Sequence, residues 1–430
     1  MANIAVVGGQ SGDEGKGKMV DYFATRENTG AVVRFQGGSN AGHTVKNEFG
    51  QFPLHSIPSG IFTRGVKNVL GMNVAVDPNQ LFNIEIPDIK RRNPNVKISP
   101  ENLMISNLAH VLLPQDIMID SAKEIKNGRG STKSGIWPAY AAASARMDLR
   151  VEDLTTYWDE KRIREIYEDK NRQLNSFGLP NYDWDKFLSE LYEYGEQLRP
   201  HVANVNKLLT DVEKSGKDIL FEAQLGTFKD RDYGDIPNAS STNNIGASAP
   251  VQAGAPKIKL TKTIGVIKAY LTNVGQGNVI TPMPSEISKV VAERGYEYGA
   301  KTGRPRECHW LDLVAAKYAC DLGIDSLAVM KADVLNDLPY INVCNGYKLP
   351  NGTVINVGEL ESIKQIGDAT PIYKTFDSWE GDISTARDWN DLPDNAKRLY
   401  GFIEEKTQTP IEYISVGPER DQTIEMGKQN

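Results

Sequence analysis

Short apolar, β-branched runs recur along the chain, separated by longer stretches in which apolar and polar positions mix. Ile4–Val7, Ala31–Phe35, Val66–Leu70, Asp218–Phe221, Ser326–Met330 and Ile411–Val416 each predict a strand. Several are apolar nearly throughout, the pattern of strands buried on both faces of a parallel sheet. Thr261–Thr272 and Trp310–Leu322 space their apolar residues as helices do. The alternation predicts an α/β fold with a large, mostly parallel central sheet.

Residues 151–215 break this rhythm. They are charged, strand-poor and helical in period, with Leu154, Trp158, Ile163 and Ile166 followed by Leu188, Leu191 and Leu198. Asp183 is placed to cap the second helix and Pro200 to kink or break it. An apolar stripe needs a surface to bury against, so this stretch is expected to be a helical insertion in a single domain spanning residues 1–430. Gly/Ser/Asn-rich segments at 225–255 and 273–285 are too long for tight turns. Such loops line sites at the carboxyl ends of parallel strands.

The composition narrows the class. The chain is 40% hydrophobic and 24% charged, with a net charge of -7. That balance argues against a nucleic-acid partner, which needs a basic surface. No apolar run is long enough to cross a bilayer, so no membrane partner is expected. Cys308, Cys320 and Cys344 are widely spaced and odd in number, which speaks against disulfides or a cysteine zinc site. With no signal-peptide pattern at the N-terminus, the cytoplasm is the expected compartment.

The first strand runs into GGQSGDEGKGK at residues 8–18. Gly12 to Lys18 matches the GxxxxGK of a phosphate loop, but Met19 stands where such loops carry the Ser or Thr that holds Mg²⁺. Asp13 can replace that hydroxyl, since Mg²⁺ takes one or two carboxylates plus phosphate oxygens. The glycines admit backbone N–H groups, and Lys16 and Lys18 are expected to add charge at the phosphates. An ordinary strand-to-helix turn would not order five glycines, two acids and two lysines in this way.

GGQSGDEGKGK closely resembles the signature loop of adenylosuccinate synthetases. RFQGGSNAGHT (34–44), HSIPSGI (55–61), LRVEDL (149–154), TGRPRECHWLD (302–312), MKADVL (330–335) and ISVGPER (414–420) resemble that family's further blocks, in its order. The resemblance implies a GTP-dependent ligase, with GTP as co-substrate and Mg²⁺ as cofactor. It would join L-aspartate to C6 of a purine nucleotide, IMP by default, through a 6-phosphoryl intermediate. By the same resemblance, Asp13 is the base that takes the N1 proton and a Mg²⁺ ligand, with the Gly42 carbonyl as a second ligand. His43 would donate to the phosphates as charge shifts to the leaving group. Gly12, Gly15, Lys16, Gly17, Gly42 and Thr44 would surround the GTP phosphates, and His55 would line the site. Lys331 and Asp333 would recognise guanine, whose paired N–H donors suit one carboxylate, with Ser415 and Gly417 beside them. Thr302, Arg304 and Arg306 would hold aspartate, because arginine forks grip carboxylates. Asn40, Thr132, Arg146 and Gln224 would contact the acceptor nucleotide. Arg146 normally reaches across a dimer interface, which implies a homodimer.

Departures from the family pattern gather at the acceptor. Ser11 replaces a tryptophan, and Lys133, Ser134 and Trp137 alter a glycine-rich block. Leu225 takes the slot of the acceptor-contacting glutamine and leaves Gln224 one position away. Ala239 stands where a phosphate-binding threonine is expected, and Asn273 replaces an arginine. This clustering raises the same chemistry on dGMP as an alternative to IMP. A GTP-binding regulatory protein without ligase activity is a third reading. The paired arginines and His43 count against it, since a switch needs no aspartate site.

Overall fold

The computed structural model describes residues 2–128, 130–272, 277, 279–298 and 306–427. Its centre is a 12-stranded sheet. The strands along its main path are β1 (Asn3–Gly8), β2 (Thr29–Gly38), β3 (Lys67–Val76), β4 (Leu103–Ser106), β5 (Val202–Ala203), β6 (Asp218–Gly226), β7 (Lys262–Lys268), β8 (Ser326–Met330), β9 (Ile411–Ser415) and β10 (Thr423–Glu425). Their order across the sheet is β10-β9-β8-β7-β1-β6-β2-β3-β4-β5, and every neighbouring pair is parallel except β9 with β10. The six runs read as strands from sequence all fall on these strands, with Val66 and Val416 one residue outside them.

Period-two geometry explains why the central strands are apolar throughout. Ala5 and Val7 of β1 point into the larger core with Val33, Phe35, Ile219 and Phe221. Ile4 and Val6 point to the other side, into a second core with Val32, Leu220, Ile264, Val266 and Ala328. Burial on both faces removes the polar alternation that marks an exposed sheet.

Two helical expectations fail here. Thr261–Thr272 forms β7 and then the short strand Tyr270–Thr272 of a second, 5-stranded sheet. Every residue from Thr263 to Thr272 is buried, so apolar spacing carries no period, and the β-branched Thr263, Ile264, Val266 and Ile267 favour the strand. Trp310–Leu322 divides. Trp310 sits in the strand Cys308–Asp312, and α1 follows only at Leu313–Asp321, where the Asp312 side chain accepts from the Ala315 N–H at 3.1 Å.

Across 151–215 the chain forms helices Val151–Thr155, Glu160–Ser176, Trp184–Leu198 and Val205–Lys214, with β5 between the last two. The Asp183 carboxylate accepts from the Lys186 N–H at 2.8 Å, capping the third element's helix. That helix stops at Leu198, and Pro200 lies in a single 3₁₀ turn just beyond it, so the helix breaks at the proline and does not merely kink. Ile163, Ile166, Phe187, Leu191 and Leu198 pack into a separate core with Leu70, Leu103 and Ile105, beyond the β3–β4 side of the sheet. Among the described residues, no helix is long and apolar enough to cross a membrane.

Candidate active site

The loop between β1 and the helix Lys16–Ala24 separates its two carboxylates. Glu14 points inward and is fully buried. It accepts from the Gly12 N–H at 2.7 Å and the Gln10 N–H at 3.2 Å, and pairs with Lys16 Nζ at 2.6 Å. Asp13, in the left-handed region at φ 58°, turns its side chain outward, where its Oδ2 meets the Arg306 guanidinium at 2.7 Å. Gly12 and Gly15 have φ of 114° and 98°, backbone that a Cβ would strain. Internal charge thus holds the loop's shape, and one carboxylate remains for chemistry above the helix N-terminus, a natural anion site.

Lys18 corrects one expectation. Two residues on from Lys16, it lies on another side of the helix. Its ammonium donates to Ser415 Oγ at 2.7 Å, to the Gly417 carbonyl at 2.7 Å and to the Gln422 carbonyl at 2.8 Å. Burial pushes it down to about 7. Lys18 therefore ties the phosphate-loop helix to the loop after β9 instead of adding charge at the phosphates.

His43 begins the hairpin strand His43–Asn47 and packs over the first helical turn, where a Cβ on Gly17 would come within 3.0 Å of it. Its Nδ1 donates to Glu222 Oε1 at 2.6 Å, which fixes the tautomer. Glu222 also accepts from the Ser59 N–H at 2.8 Å and hydroxyl at 2.7 Å, with Arg34 Nε 3.6 Å away. Burial and the Arg34 charge push His43 down to about 4. Glu222 falls to about 2: burial opposes ionisation, but Arg34 and His43 outweigh it. Thr44 is exposed, and Gly42 is half-buried between Ala41 and His43. His55 Nδ1 lies 2.7 Å from the Ala41 carbonyl and so steadies the Asn40–Gly42 turn. His110 and His201 are structural, bonded to Asp148 at 2.8 Å and to the Leu103 carbonyl at 2.8 Å.

At the end of β8, Lys331 takes a left-handed φ of 59° and donates to Glu297 Oε1 at 2.7 Å and to the Gly295 carbonyl at 2.8 Å. Asp333 Oδ1 is buried with no hydrogen-bond partner, and burial raises its carboxyl above the ordinary aspartate value. The Ser415–Gly417 loop held by Lys18 belongs to the neighbouring strand β9, and the Asp333 and Lys18 charges interact.

A cavity of about 320 Å³ opens beside the ends of β2 and β6. Asn40, Thr132, Trp137, Leu225, Lys229 and Ser240 are among its lining residues, and Ala239 lies there too. A smaller cavity shares Lys229 and is lined by Ser11. Gln224 is not on the cavity wall. Its amide accepts from the Gly38 N–H at 3.1 Å and donates to the Gly38 carbonyl at 3.0 Å and Asn40 Oδ1 at 2.8 Å. It therefore orients Asn40 from beneath, and Leu225 forms the wall. Arg146 is exposed at the left-handed end of the helix Ile136–Ala145 and is not among the residues lining this chain's own cavity. Arg306 is described, whereas Thr302, Arg304 and Asn273 lie outside the described residues.

Sequence reasoning noted Glu14 as one of the loop's two acids but gave it no role, and it passed over Glu222 and Glu297. Glu222 carried a signal, because a charge inside the otherwise apolar run of β6 needs a partner. Glu297 carried none, since it follows a stretch already rich in charge.

A single outward carboxylate with no three-residue cluster of His, Cys, Asp or Glu among the described residues suits a hard cation completed by phosphate oxygens and water. A glycine-rich phosphate-type loop and a cavity of nucleotide scale at the carboxyl ends of parallel strands define an α/β enzyme acting on phosphorylated nucleotides. A sequence profile of adenylosuccinate synthetase matches residues 5–424. An adenylosuccinate synthetase of Clostridium novyi (strain NT) is 39% identical, with the alignment covering 100% of both chains. The fully ligated Plasmodium falciparum adenylosuccinate synthetase superposes with a TM-score of 0.89 at 30% identity, covering 99% of this chain and 100% of that one. The chain belongs to the adenylosuccinate synthetase family, GTP-dependent ligases of purine biosynthesis that use Mg²⁺. The succinoaminodeoxyadenylate synthetase of cyanophage S-2L, bound to dGMP and dATP, superposes with a TM-score of 0.58 at 16% identity, covering 99% of this chain and 95% of that one. That likeness is one of fold alone and lends the dGMP alternative no support. Membership of a ligase family equally disfavours the regulatory reading.

Proposed function

We propose that this chain joins L-aspartate to C6 of IMP at the expense of GTP, with Asp13 as base and His43 as the donor that stabilises phosphoryl transfer. The observation that carries the GTP assignment is the unpartnered, buried Asp333 Oδ1. A buried acceptor without a donor costs free energy. Guanine offers the missing donors as adjacent N1–H and N2–H groups, and adenine does not.

The 6-oxo group of IMP is a poor leaving group. Asp13 removes the N1 proton, and O6 attacks the γ-phosphorus of GTP, releasing GDP and leaving a 6-phosphoryl nucleotide. The aspartate amine then attacks C6 and phosphate departs. Mg²⁺, held by Asp13 and the Gly42 carbonyl, would neutralise charge on the phosphate oxygens. Gly12, Gly15, Lys16 and Gly17 cradle that polyphosphate, with Thr44 at its edge. His43 is a neutral imidazole in the free protein. Phosphate charge next to it favours a proton on Nε2, and Glu222 on the other nitrogen stabilises the resulting imidazolium, which donates as the β–γ bond breaks. Lys331 covers the guanine ring with its stem, and Ser415 and Gly417 line its edge.

Asn40 and Thr132 contact the acceptor, with Gln224 acting through Asn40. Ser240 lies beside Ala239 and supplies a hydroxyl near the expected threonine position. Arg306, with Thr302 and Arg304, holds the dicarboxylate. Arg146 serves the cavity of a second copy, so the working form is a homodimer.

The test is an acceptor screen by mass spectrometry with GTP, Mg²⁺ and L-aspartate. A succinyl adduct forms with IMP, and dGMP gives little or none. An adduct of dGMP with IMP inert overturns the acceptor assignment. GTP hydrolysis that needs neither aspartate nor nucleotide overturns the ligase reading.

A further inference from the structure

Glu297 is buried, at 1% side-chain exposure, and four donors from three parts of the chain converge on it. Lys268 Nζ at the end of β7 lies at 3.1 Å and the Tyr270 hydroxyl at 2.8 Å. Lys331 Nζ, in the turn after β8, lies 2.7 Å from the same Oε1. The Arg306 guanidinium meets Oε2 at 3.2 Å through one edge and Asp13 Oδ2 at 2.7 Å through the other. The Arg306 N–H also donates to the Glu297 carbonyl at 2.8 Å. Burial would push the Glu297 carboxyl up, but the ammonium groups of Lys268 and Lys331 reverse this and hold it well below the usual range.

The phosphate loop joins the same assembly. Gln10 Nε2 donates to the Lys268 and Tyr270 carbonyls at 3.1 and 3.2 Å, and its Oε1 accepts from the Lys268 N–H at 3.1 Å. Lys268 further donates to Thr272 Oγ1.

We propose that Glu297 is a positioning residue that couples the GTP and aspartate subsites, holding Lys331 for the base and one edge of Arg306 for the dicarboxylate. The inference rests on the ligase reading above. Three cations face two carboxylates in this cluster, which leaves one surplus positive charge for an incoming anion. Asp13 occupies one edge of Arg306, so Asp13 is tied up while no amino acid is present. A substrate carboxylate taking that edge frees Asp13 for the N1 proton, and Glu297 keeps the other edge in register. Because the same carboxylate anchors Lys331, loosening it disturbs both subsites. Among the described residues, the side chains shown bonded to it, Lys268, Tyr270, Arg306 and Lys331, do not line the acceptor cavity.

The test is Glu297→Gln, which keeps the shape and removes the charge, measured in steady state on the full chain. Loss of charge-assisted hydrogen bonds should raise KM for GTP and for L-aspartate by about 10-fold each. KM for IMP should stay within roughly 3-fold, since no such bond to its cavity is lost. Saturating aspartate should lower KM for GTP in the wild type and cease to do so in the variant. Unchanged KM values for GTP and aspartate overturn the proposal. So does a parallel rise in all three, the result of a merely structural role. Where Glu297→Gln does not fold, Glu297→Asp keeps the charge one methylene short and is read by the same split. If the wild type itself makes no adenylosuccinate, the ligase reading fails. If it does and the split is absent, this inference alone fails.

Discussion

Asp333 shows how far one side chain reaches. Its unpartnered oxygen suits paired guanine donors, and hydrogen bonds to a charged acceptor contribute about 1.5–3 kcal/mol each. Asp333→Asn should therefore raise KM for GTP by roughly two orders of magnitude, with kcat less affected, as initial rates against GTP will show. Only the ionised carboxylate accepts both donors. Burial raises its folded value above the ordinary aspartate range, so the contribution is lost as pH falls through that raised value. KM for GTP should climb on acidification earlier than an ordinary aspartate would cause. The Asn variant should lack that component, and a variant with the wild-type profile would clear Asp333 of the role.

At this scale the sequence was most informative where the chemistry is local. Asp13, Lys16, His43, Lys331 and Asp333 sit in short motifs whose spacing nearly determines their geometry. Glu297 acts through partners remote in sequence, and nothing in its own neighbourhood marks it, whereas Gln224 is marked by its block but its action through Asn40 depends on the fold. Lys18 was misread because a motif gives residue order but not the side of the helix on which each side chain falls.

Elements were legible where one face is buried and the other wet. The helix Trp184–Leu198 buries Phe187, Leu191 and Leu198, and its polar residues face outward. Asp183 contributes there by satisfying the first-turn Lys186 N–H. Asp183→Ala should cost about 1 kcal/mol and lower Tm by about 1 °C, with kcat and every KM unchanged. A thermal melt beside an activity assay checks both halves, and an unchanged Tm would mean water replaces the cap without loss. Thr261–Thr272 was illegible for the opposite reason. With both sides covered, a strand and a buried helix leave the same apolar record, and Gly265 adds to the ambiguity. There glycine serves a close approach, since a Cβ would come within 2.6 Å of Ile324 Cδ1. Only the β-branched residues favour the strand, and that preference is weaker than apolar spacing read in isolation.

At the scale of the whole molecule, the acceptor cavity is short of one feature its ligand calls for. A nucleotide phosphate is best gripped by an arginine fork, yet the cavity wall carries Lys123 and Lys229 and no arginine among the described residues. Arg146 stands exposed in a left-handed conformation at the end of the helix Ile136–Ala145, whose first turn supplies Ile136 and Trp137 to the same wall. An exposed arginine that does not line its own chain's cavity suits donation to a second copy, and two-fold symmetry would return the same service. Arg146→Leu and Asp13→Asn then damage different chains' contributions to one site. Each variant alone should be nearly inactive. Mixed in equal amounts and allowed to exchange, half the dimers pair one of each, and in those one of two sites has an intact Asp13 and an intact Arg146. Activity should recover to about a quarter of the wild type. If the mixture stays as inactive as its parts although sedimentation shows dimers exchanging, each arginine serves its own cavity and the two-fold arrangement has no part in acceptor binding.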